Sequence, residues 1–522
     1  MMEFSSERDK IIFFEMLLVR RKDFMRRYFY CKFFLLLIFL FSCGRFSGDY
    51  ETKIPFSLSP AEYLISAGDS GLFNHFAQDK NGGIHVVYYN MLYRTVFWAY
   101  APDLKTGFRN IEMVDEAGQN DNFGLSPKVV IDSQNIPHVI YIRHKENGED
   151  SFSIYHAQRL GDNKWKIERV QNPCPYESKA ELLSAVIDPE DIIHISYIGM
   201  DKRLYYISLG VDGKILRCEQ VDPAVGEVAR VPSGGAISGC LDMKIDEAGT
   251  LRLAYYDSEN GNVKYAYKKK DEQNWVISVV GWDRVFNEEI QFIALNPNQY
   301  QAELKFPSNE SRLDSSLFAI GPGGRKEVPK DFWRFRSLKY VLLDASVVGP
   351  GKDFDLNTMK FYISYVRIDT SPDDEGIFCS AGYNKNFDHY VAYFNVTKLQ
   401  IEFAYFQSGS WIREVVDNVP VGTQIQLTNY KISQDVWVPV IFYSDSIRWN
   451  IKSAFLLEKP ERRWMVNTLI SKGIAGIYLF ADFMPNYGDA GLSYMRNIDG
   501  DYVLYFSLFE IPKEIKEQLT LK

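Results

Sequence analysis

The sequence predicts an all-β fold, a β-propeller of seven or eight four-stranded blades with eight favoured, and three observations carry that expectation. A segment holding one Asp, a turn and an apolar-alternating strand recurs along the chain. Aromatic residues make up 15% of the chain, with 36 Phe and 33 Tyr, and such side chains suit a pleated, half-buried surface. Long stretches with a 3.6-residue apolar period are scarce.

Four segments align without gaps over their centre: FAQDKNGGIHVVYY, VIDSQNIPHVIYI, VIDPEDIIHISYI and KIDEAGTLRLAYY. Counting from Asp79, Asp132, Asp188 and Asp246, the sixth residue onward is His85, His138, His194 and Arg252. The ninth is Tyr88, Tyr141, Tyr197 and Tyr255, at successive spacings of 53, 56 and 58. A second strand follows each (FWAYA, SIYHA, LYYIS, VKYAY), then a third that opens with Trp165 in WKIERV and Trp275 in WVISVV. With the strand before the Asp, that makes four antiparallel strands per unit, which need stacking around an axis to cover both faces.

Fainter copies continue. The tripeptide RID at 367–369 and YVAYF at 390–394 match the Asp and its strand around an insertion, DTSPDDEGIFCSAGYNKNF, read as a solvated surface loop. VPVIFY at 438–443 and GLSYM at 491–495 mark two later units, and EIQFIAL, YQAELKF and SLFAIG read as one divergent blade, which brings the total to eight. The last unit lacks an outermost strand. Lys53–Ser59 (KIPFSLS) is the expected source, closing the ring with strands from both termini, because an unpaired edge invites aggregation.

From about residue 66 to 512 the chain resembles the Asp, Gly, His, Tyr, Tyr propeller repeats of secreted bacterial proteins, distantly related to sialidase-like propellers. The resemblance implies a fold and not an activity, because propellers host binding, scaffolding, hydrolase and lyase functions alike. Sialidases use three arginines, a Tyr and acidic residues, but the sequence has no SxDxGxxW Asp-box.

Export is read from the N-terminal region. Arg26, Arg27 and Lys32 precede the apolar run Phe33–Phe41, followed by Ser42, Cys43 and Gly44. A charged segment, a short apolar segment and small residues form a signal peptide, and nine apolar residues are too few to span a bilayer. LFSC resembles a loose bacterial lipobox with Cys43 as the lipidated residue, although Phe41 departs from the strict pattern; an ordinary cleaved signal is the alternative. The expected organisation is 1–24 as a misassigned extension, with Met25 the better start, and 25–43 as lipoprotein signal peptide. There follow 44–60 as tether and closing strand, 61–512 as propeller and 513–522 as tail. The location implied is the bacterial envelope, lipid-anchored to a membrane.

The formal charge is −9; the first 43 residues hold 8 Lys/Arg against 5 Asp/Glu, which leaves 51 against 63, or −12, for the rest. Nucleic acid is excluded as a partner, since a phosphate backbone needs clustered basic residues. Cys174, Cys218, Cys240 and Cys379 show no CxxC spacing and no His at zinc-ligand offsets, so neither a metal site nor a cofactor is expected. Outside the cytoplasm some of these pair, and Cys218 with Cys240 is the expected bridge.

The recurring His and Tyr read as structural, because a catalytic group is needed once while a repeated side chain ties a turn or fills a blade interface. Residues that do not repeat are the candidate ligand contacts: Tyr93, Arg94, Arg143, His144 and Arg203, after the second strand of each blade and on the face shared with the long interblade linkers. Converging arginines there would hold an anionic ligand by paired hydrogen bonds. The expected function is non-catalytic binding of a protein or glycan partner. The alternative is a carbohydrate-active enzyme, a sialidase-like hydrolase or polysaccharide lyase, with its site at the propeller mouth; no catalytic residue is assigned.

Overall fold

The structure, a computed structural model, describes residues 60–520 apart from breaks, the longest at 171–178, 281–292, 306–315 and 344–363. Seven four-stranded antiparallel sheets form the blades, over residues 70–113, 122–169, 180–222, 241–279, 375–417, 421–470 and 474–509. Within each, strand order follows the chain from an inner strand outward, and Glu62–Ser66 pairs with Asp501–Phe509 as the fourth strand of blade 7. Inner strands pack on one another in chain order, and that of blade 7 packs on that of blade 1. The expected strand Lys53–Ser59 lies outside the described residues.

The expectation of eight blades is corrected to seven. The divergent stretch forms its own four-stranded sheet within 293–328, followed by a three-stranded sheet within 333–367, and neither enters the ring. Instead the inner strands of blades 4 and 5, Leu241–Ile245 and Glu375–Gly382, meet directly. Asp242 Oδ2 accepts hydrogen bonds from Ser380 Oγ at 2.6 Å and Ala381 N at 3.0 Å, and Cys240 is disulfide-bonded to Cys379, which leaves no gap for another blade. Cys240 therefore does not pair with Cys218, which is itself disulfide-bonded. The presumed surface insertion 370–388 is corrected too: its Glu375–Gly382 is the inner strand of blade 5, and Asn384 stands nine residues before Tyr393, where the earlier blades carry Asp.

The Asp of the repeat builds the turn between first and second strands. Asp79 Oδ1 accepts from the N–H groups of Asn81 and Gly83, both at 2.8 Å, and Asp132, Asp188 and Asp246 do the same two and four residues on. The other oxygen meets the sixth residue: His85 Nε2 at 3.2 Å, His138 Nε2 at 3.3 Å, His194 Nε2 at 3.2 Å and Arg252 Nη1 at 2.5 Å. Each His uses its second nitrogen on the third strand, with Trp98, His156 or Tyr206. Both ring nitrogens are thus spent inside the fold, and burial lowers the pKa of all three, keeping them neutral.

Farther out, the repeated Trp clasps neighbouring blades. Trp165, Trp275 and Trp464 donate Nε1–H to Glu112, Glu219 and Glu414 on the outer strand of the preceding blade, at 3.0, 2.8 and 3.2 Å. The apolar core lies between blades, as where Val96 and Trp98 of blade 1 pack with Val129 and Tyr141 of blade 2. Glycine is required where the inner strand enters: Gly124 has φ +102°, and a Cβ there would lie 2.4 Å from Val96 Cβ. A register shift follows it before Lys128 and sets the positions that line the axis. Beyond blade 7, a helix at Lys513–Thr520 buries Ile515 alongside Tyr430, so the expected tail is packed against the ring.

Candidate functional site

In an up-and-down four-stranded blade, the turns after the second strand and the interblade linkers share one face, while the Asp turns lie on the other. The five candidate contacts all fall on the first face. Asn90 Oδ1 accepts from Leu92 N at 2.9 Å and Tyr93 N at 3.1 Å, fixing a turn that leaves Tyr93 55% exposed with its ring centroid 5.5 Å from that of Phe97. Arg94, at φ +56°, donates Nε–H to Asn122 Oδ1 at 3.2 Å, and its carbonyl accepts from Phe123 N at 2.9 Å across the blade 1–2 junction. Asn122 pairs in register with His144, whose ring lies 4.5 Å from that of Phe152. Arg203 lies one blade further on, 48% exposed, with Nε 3.8 Å from Asp201 Oδ2.

Arg143 sits at the same junction but is embedded. Its Nε donates to Asp115 Oδ2 at 2.6 Å, and its guanidinium stands 3.8 Å from the Tyr155 ring centroid and 4.5 Å from that of Phe123. Asp115 also accepts from Tyr141 Oη at 2.6 Å. The same unit of Tyr, cation and carboxylate recurs as Tyr255, Lys264 and Asp222, as Tyr443, Lys452 and Asp417, and in blade 7 as Tyr494, Arg496 and Glu62. Arg143 therefore belongs to the repeat. The structure brings Tyr93, Arg94, Arg143 and His144 together at the blade 1–2 junction and leaves only part of that set facing solvent.

A second cluster, which sequence reading passed over, lines the axis. In register across the blades, the residue four before the turn Asp is His75, Lys128, Ser184 and Asp242 in blades 1 to 4, matched by Ser380, Gln426 and Phe480 in blades 5 to 7. An inner strand is a sheet edge whose N–H groups need acceptors. His75 Nδ1 accepts from Val129 N at 3.3 Å, Ser184 Oγ from Met243 N at 3.1 Å, Asp242 from Ala381 N at 3.0 Å, and Ser380 Oγ from Leu427 N at 3.0 Å. Each caps the next blade. The signal in the sequence was a repeat phase that stays polar in blades 1 to 6 while the residue type changes, and turns apolar only at Phe480.

Around Phe480 this ring turns ionisable. The His75 ring centroid lies 4.0 Å from that of Phe480, and the ammonium groups of Lys128 and Lys244 stand 5.7 and 5.9 Å from the same centroid. Asp482 Oδ1 accepts from Thr428 Oγ1 at 3.2 Å and Phe483 N at 2.9 Å. Burial, with Lys128 and Lys244 adding to it, holds His75 well below the usual imidazole range. Burial also pulls Lys128 down to about 8, helped by Lys244 and opposed by Asp242. On Lys244 burial is outweighed by Asp242, Asp482 and Tyr383, leaving it above the ordinary value. Among the described residues no group of three His, Cys, Asp or Glu is placed to hold a metal ion.

Fold and site define a seven-bladed β-propeller with four-stranded blades, an exposed aromatic–cationic junction on one face and a charged axial cluster. No protein-family model matches the chain, and no curated protein does. Among solved structures it is similar to a polysaccharide lyase, an ulvan lyase bound to -[GlcA(1-4)Rha3S]-, at 9% identity and a TM-score of 0.45, over 89% of this chain and 100% of the other. It is also similar to a sialidase from Streptococcus pneumoniae, at 11% identity and a TM-score of 0.35, over 90% of this chain and 71% of the other. A lectin from Aleuria aurantia, in complex with Fucalpha1-6GlcNAc, matches at 11% identity and a TM-score of 0.23, over 66% of this chain and 96% of that one.

Proposed function

We propose that this protein is a bacterial envelope lipoprotein, anchored through Cys43, whose propeller binds an acidic glycan without catalysis at the face formed by blades 1 to 3. The observation that carries the reading is the Tyr93–Arg94 turn. A ring more than half exposed is held in place by Asn90 and Phe97, next to a guanidinium fixed by Asn122. An ordered flat apolar face beside an ordered cation suits a sugar ring bearing a carboxylate or sulfate, because little entropy is left to lose on binding. Arg203 extends the cationic face to blade 3. Two features support export: the signal-like segment before Cys43, and disulfides at Cys240–Cys379 and Cys218, which persist in oxidising compartments.

The test is titration with uronic-acid and sialic-acid oligosaccharides. Tyr93→Ala and Arg203→Ala are expected to weaken binding at least tenfold with the melting temperature unchanged; unaltered affinity in both rejects the site. Turnover of the same glycans would replace binding by the carbohydrate-active enzyme. For the anchor, Cys43→Ala should abolish partitioning into a detergent phase, and persistent partitioning rejects lipidation.

A further inference from the structure

Lys128 occupies the axial position at which His75, Ser184, Asp242 and Ser380 each accept a backbone hydrogen bond from the following blade. An ammonium has donors only, so it cannot take that role. Among the described residues neither Lys128 Nζ nor Lys244 Nζ makes a hydrogen bond or ion pair, yet both stand over one face-lining ring, Phe480, at 5.7 and 5.9 Å. The nearby carboxylates are already engaged, Asp242 by Ser380 and Ala381, Asp482 by Thr428 and Phe483. Both lysine side chains are half-buried. Two half-buried like charges beside each other oppose folding, since each is partly desolvated and repels the other. Asp242 and Asp482 offset that cost for Lys244 through space, but on Lys128 burial and the neighbouring Lys244 outweigh Asp242, and an anion between the two ammonium groups would supply what is lacking there.

We propose that the ring axis, between Lys128, Lys244 and the ring of Phe480, binds an oxyanion, the carboxylate or sulfate of an acidic sugar. Lys128 and Lys244 lie toward the Asp-turn ends of their strands, so the site is reached from the face opposite Tyr93 and stands independently of the reading above. Phe480 and the neutral imidazole of His75 supply an apolar wall for the sugar ring, and the two ammonium groups supply the charge.

The groups facing Lys128 are His75 from blade 1 and Asp242 and Lys244 from blade 4, and those facing Lys244 are His75, Lys128, Asp242, Tyr383 with Arg252 behind it, and Asp482 from blade 7. Burial pushes Tyr383 up to about 12 and keeps His75 neutral, while burial draws Lys128 down to about 8, so Lys128 is the member that loses its charge between pH 7 and 9.

Calorimetric titration of the full chain with sodium sulfate, and separately with D-glucuronate, at constant ionic strength tests the site. The expected result is one site for each anion at pH 7, about tenfold weaker at pH 9 as Lys128 deprotonates, and at least tenfold weaker in Lys128→Met and in Lys244→Met. Folding is checked in the same variants without ligand, where Lys128→Met should melt no lower than the wild type. No heat with either anion at pH 7, or affinity unchanged in both folded variants, overturns the proposal. Binding of sulfate without glucuronate overturns the sugar-borne source, and equal affinity at pH 7 and 9 overturns the part given to Lys128.

Discussion

Cys240 and Cys379, 139 residues apart in sequence, are joined by a disulfide that ties the inner strand of blade 4 to that of blade 5. The chain leaves the ring after blade 4 and returns at blade 5, so this bond holds a seam interrupted by two extra sheets. Ser380, next to Cys379, donates to Asp242, two residues after Cys240, so covalent and hydrogen bonds act on the same strand pair. Closing so long a loop restricts the unfolded chain, and the double variant Cys240→Ala, Cys379→Ala should lose about 2–5 kcal/mol. Guanidinium unfolding measures it; an unchanged midpoint would mean that the noncovalent seam suffices.

Stability should fall on acidification through the buried histidines. His138 Nδ1 and His156 Nε2 lie 2.8 Å apart with rings inclined by 8°, and burial, with His138 and Lys166 adding, pulls His156 down to about 3. An unfolded His takes up its proton near about 6.5. Between that value and the folded one the unfolded state binds more protons, so the contribution is complete above about pH 6.5 and is lost as pH falls, by up to about 1.4 kcal/mol per pH unit for His156. Calorimetric melting temperatures should decline from pH 6.5 to pH 4.5 and decline less in His156→Gln. Equal slopes in the two proteins would show that His156 is not the group titrating.

The architecture was legible because a repeat writes its own accounting. Asp79 with His85 and Asp132 with His138 appear in sequence as an Asp and a His six apart, and they meet in space because one turn separates them. Blade count was not legible in the same way. Within EIQFIAL, YQAELKF and SLFAIG the described residues from Ile293 on pair as strands, as a blade would, and only the long-range bonds at Asp242 and Cys240 decide that they stand outside the ring. The strand Glu375–Gly382 was missed because the run Asp373, Asp374 and Glu375 in the sequence at its start reads as loop, and because Asn384 replaces the Asp that marks earlier turns. Arg143 looked unique by residue type. Its equivalence to Lys264, Lys452 and Arg496 emerges only where each meets a Tyr and a carboxylate. Lys128 was hidden because polarity, not identity, is what its phase of the repeat keeps.

The outer strand of blade 7 gives a prediction about the N-terminal segment. Glu62 accepts from Tyr494 Oη at 2.6 Å and from Arg496, whose side chain is 10% exposed. Glu62→Ala removes the charged acceptor of a guanidinium and leaves the Tyr494 hydroxyl only Ser507 Oγ at 3.2 Å, and should cost about 1–3 kcal/mol. Deleting residues 61–66 also removes the pairing with Asp501–Phe509 and should lower the melting temperature of the whole ring in one transition. A deletion product as stable as the parent would show that this strand is dispensable.

The two arginines flanking blade 2's linkers should separate stability from binding. Arg143, 15% exposed, is wedged between the Tyr155 and Phe123 rings and neutralises Asp115, itself 7% exposed. Arg143→Ala would leave that carboxylate with only the neutral donors Tyr141 Oη and Glu116 N–H as partners and open a slot between two aromatic rings, a loss of about 2–4 kcal/mol. Arg203, 48% exposed and 3.8 Å from Asp201, contributes little to folding, and Arg203→Ala should stay within about 0.5 kcal/mol of the wild type. Binding should respond in the opposite sense. An exposed cation attracts an acidic glycan through solvent, so losing Arg203 should weaken it at low salt, and the difference from wild type should shrink as salt screens the charge. Arg143→Lys, which keeps the charge at Asp115, should bind as the wild type does even if its melting temperature falls. Melting curves and glycan titrations on the same three variants decide the matter. Equal destabilisation by Arg143→Ala and Arg203→Ala, or loss of glycan binding in Arg143→Lys with Arg203→Ala unaffected, would reverse the assignment of the two residues.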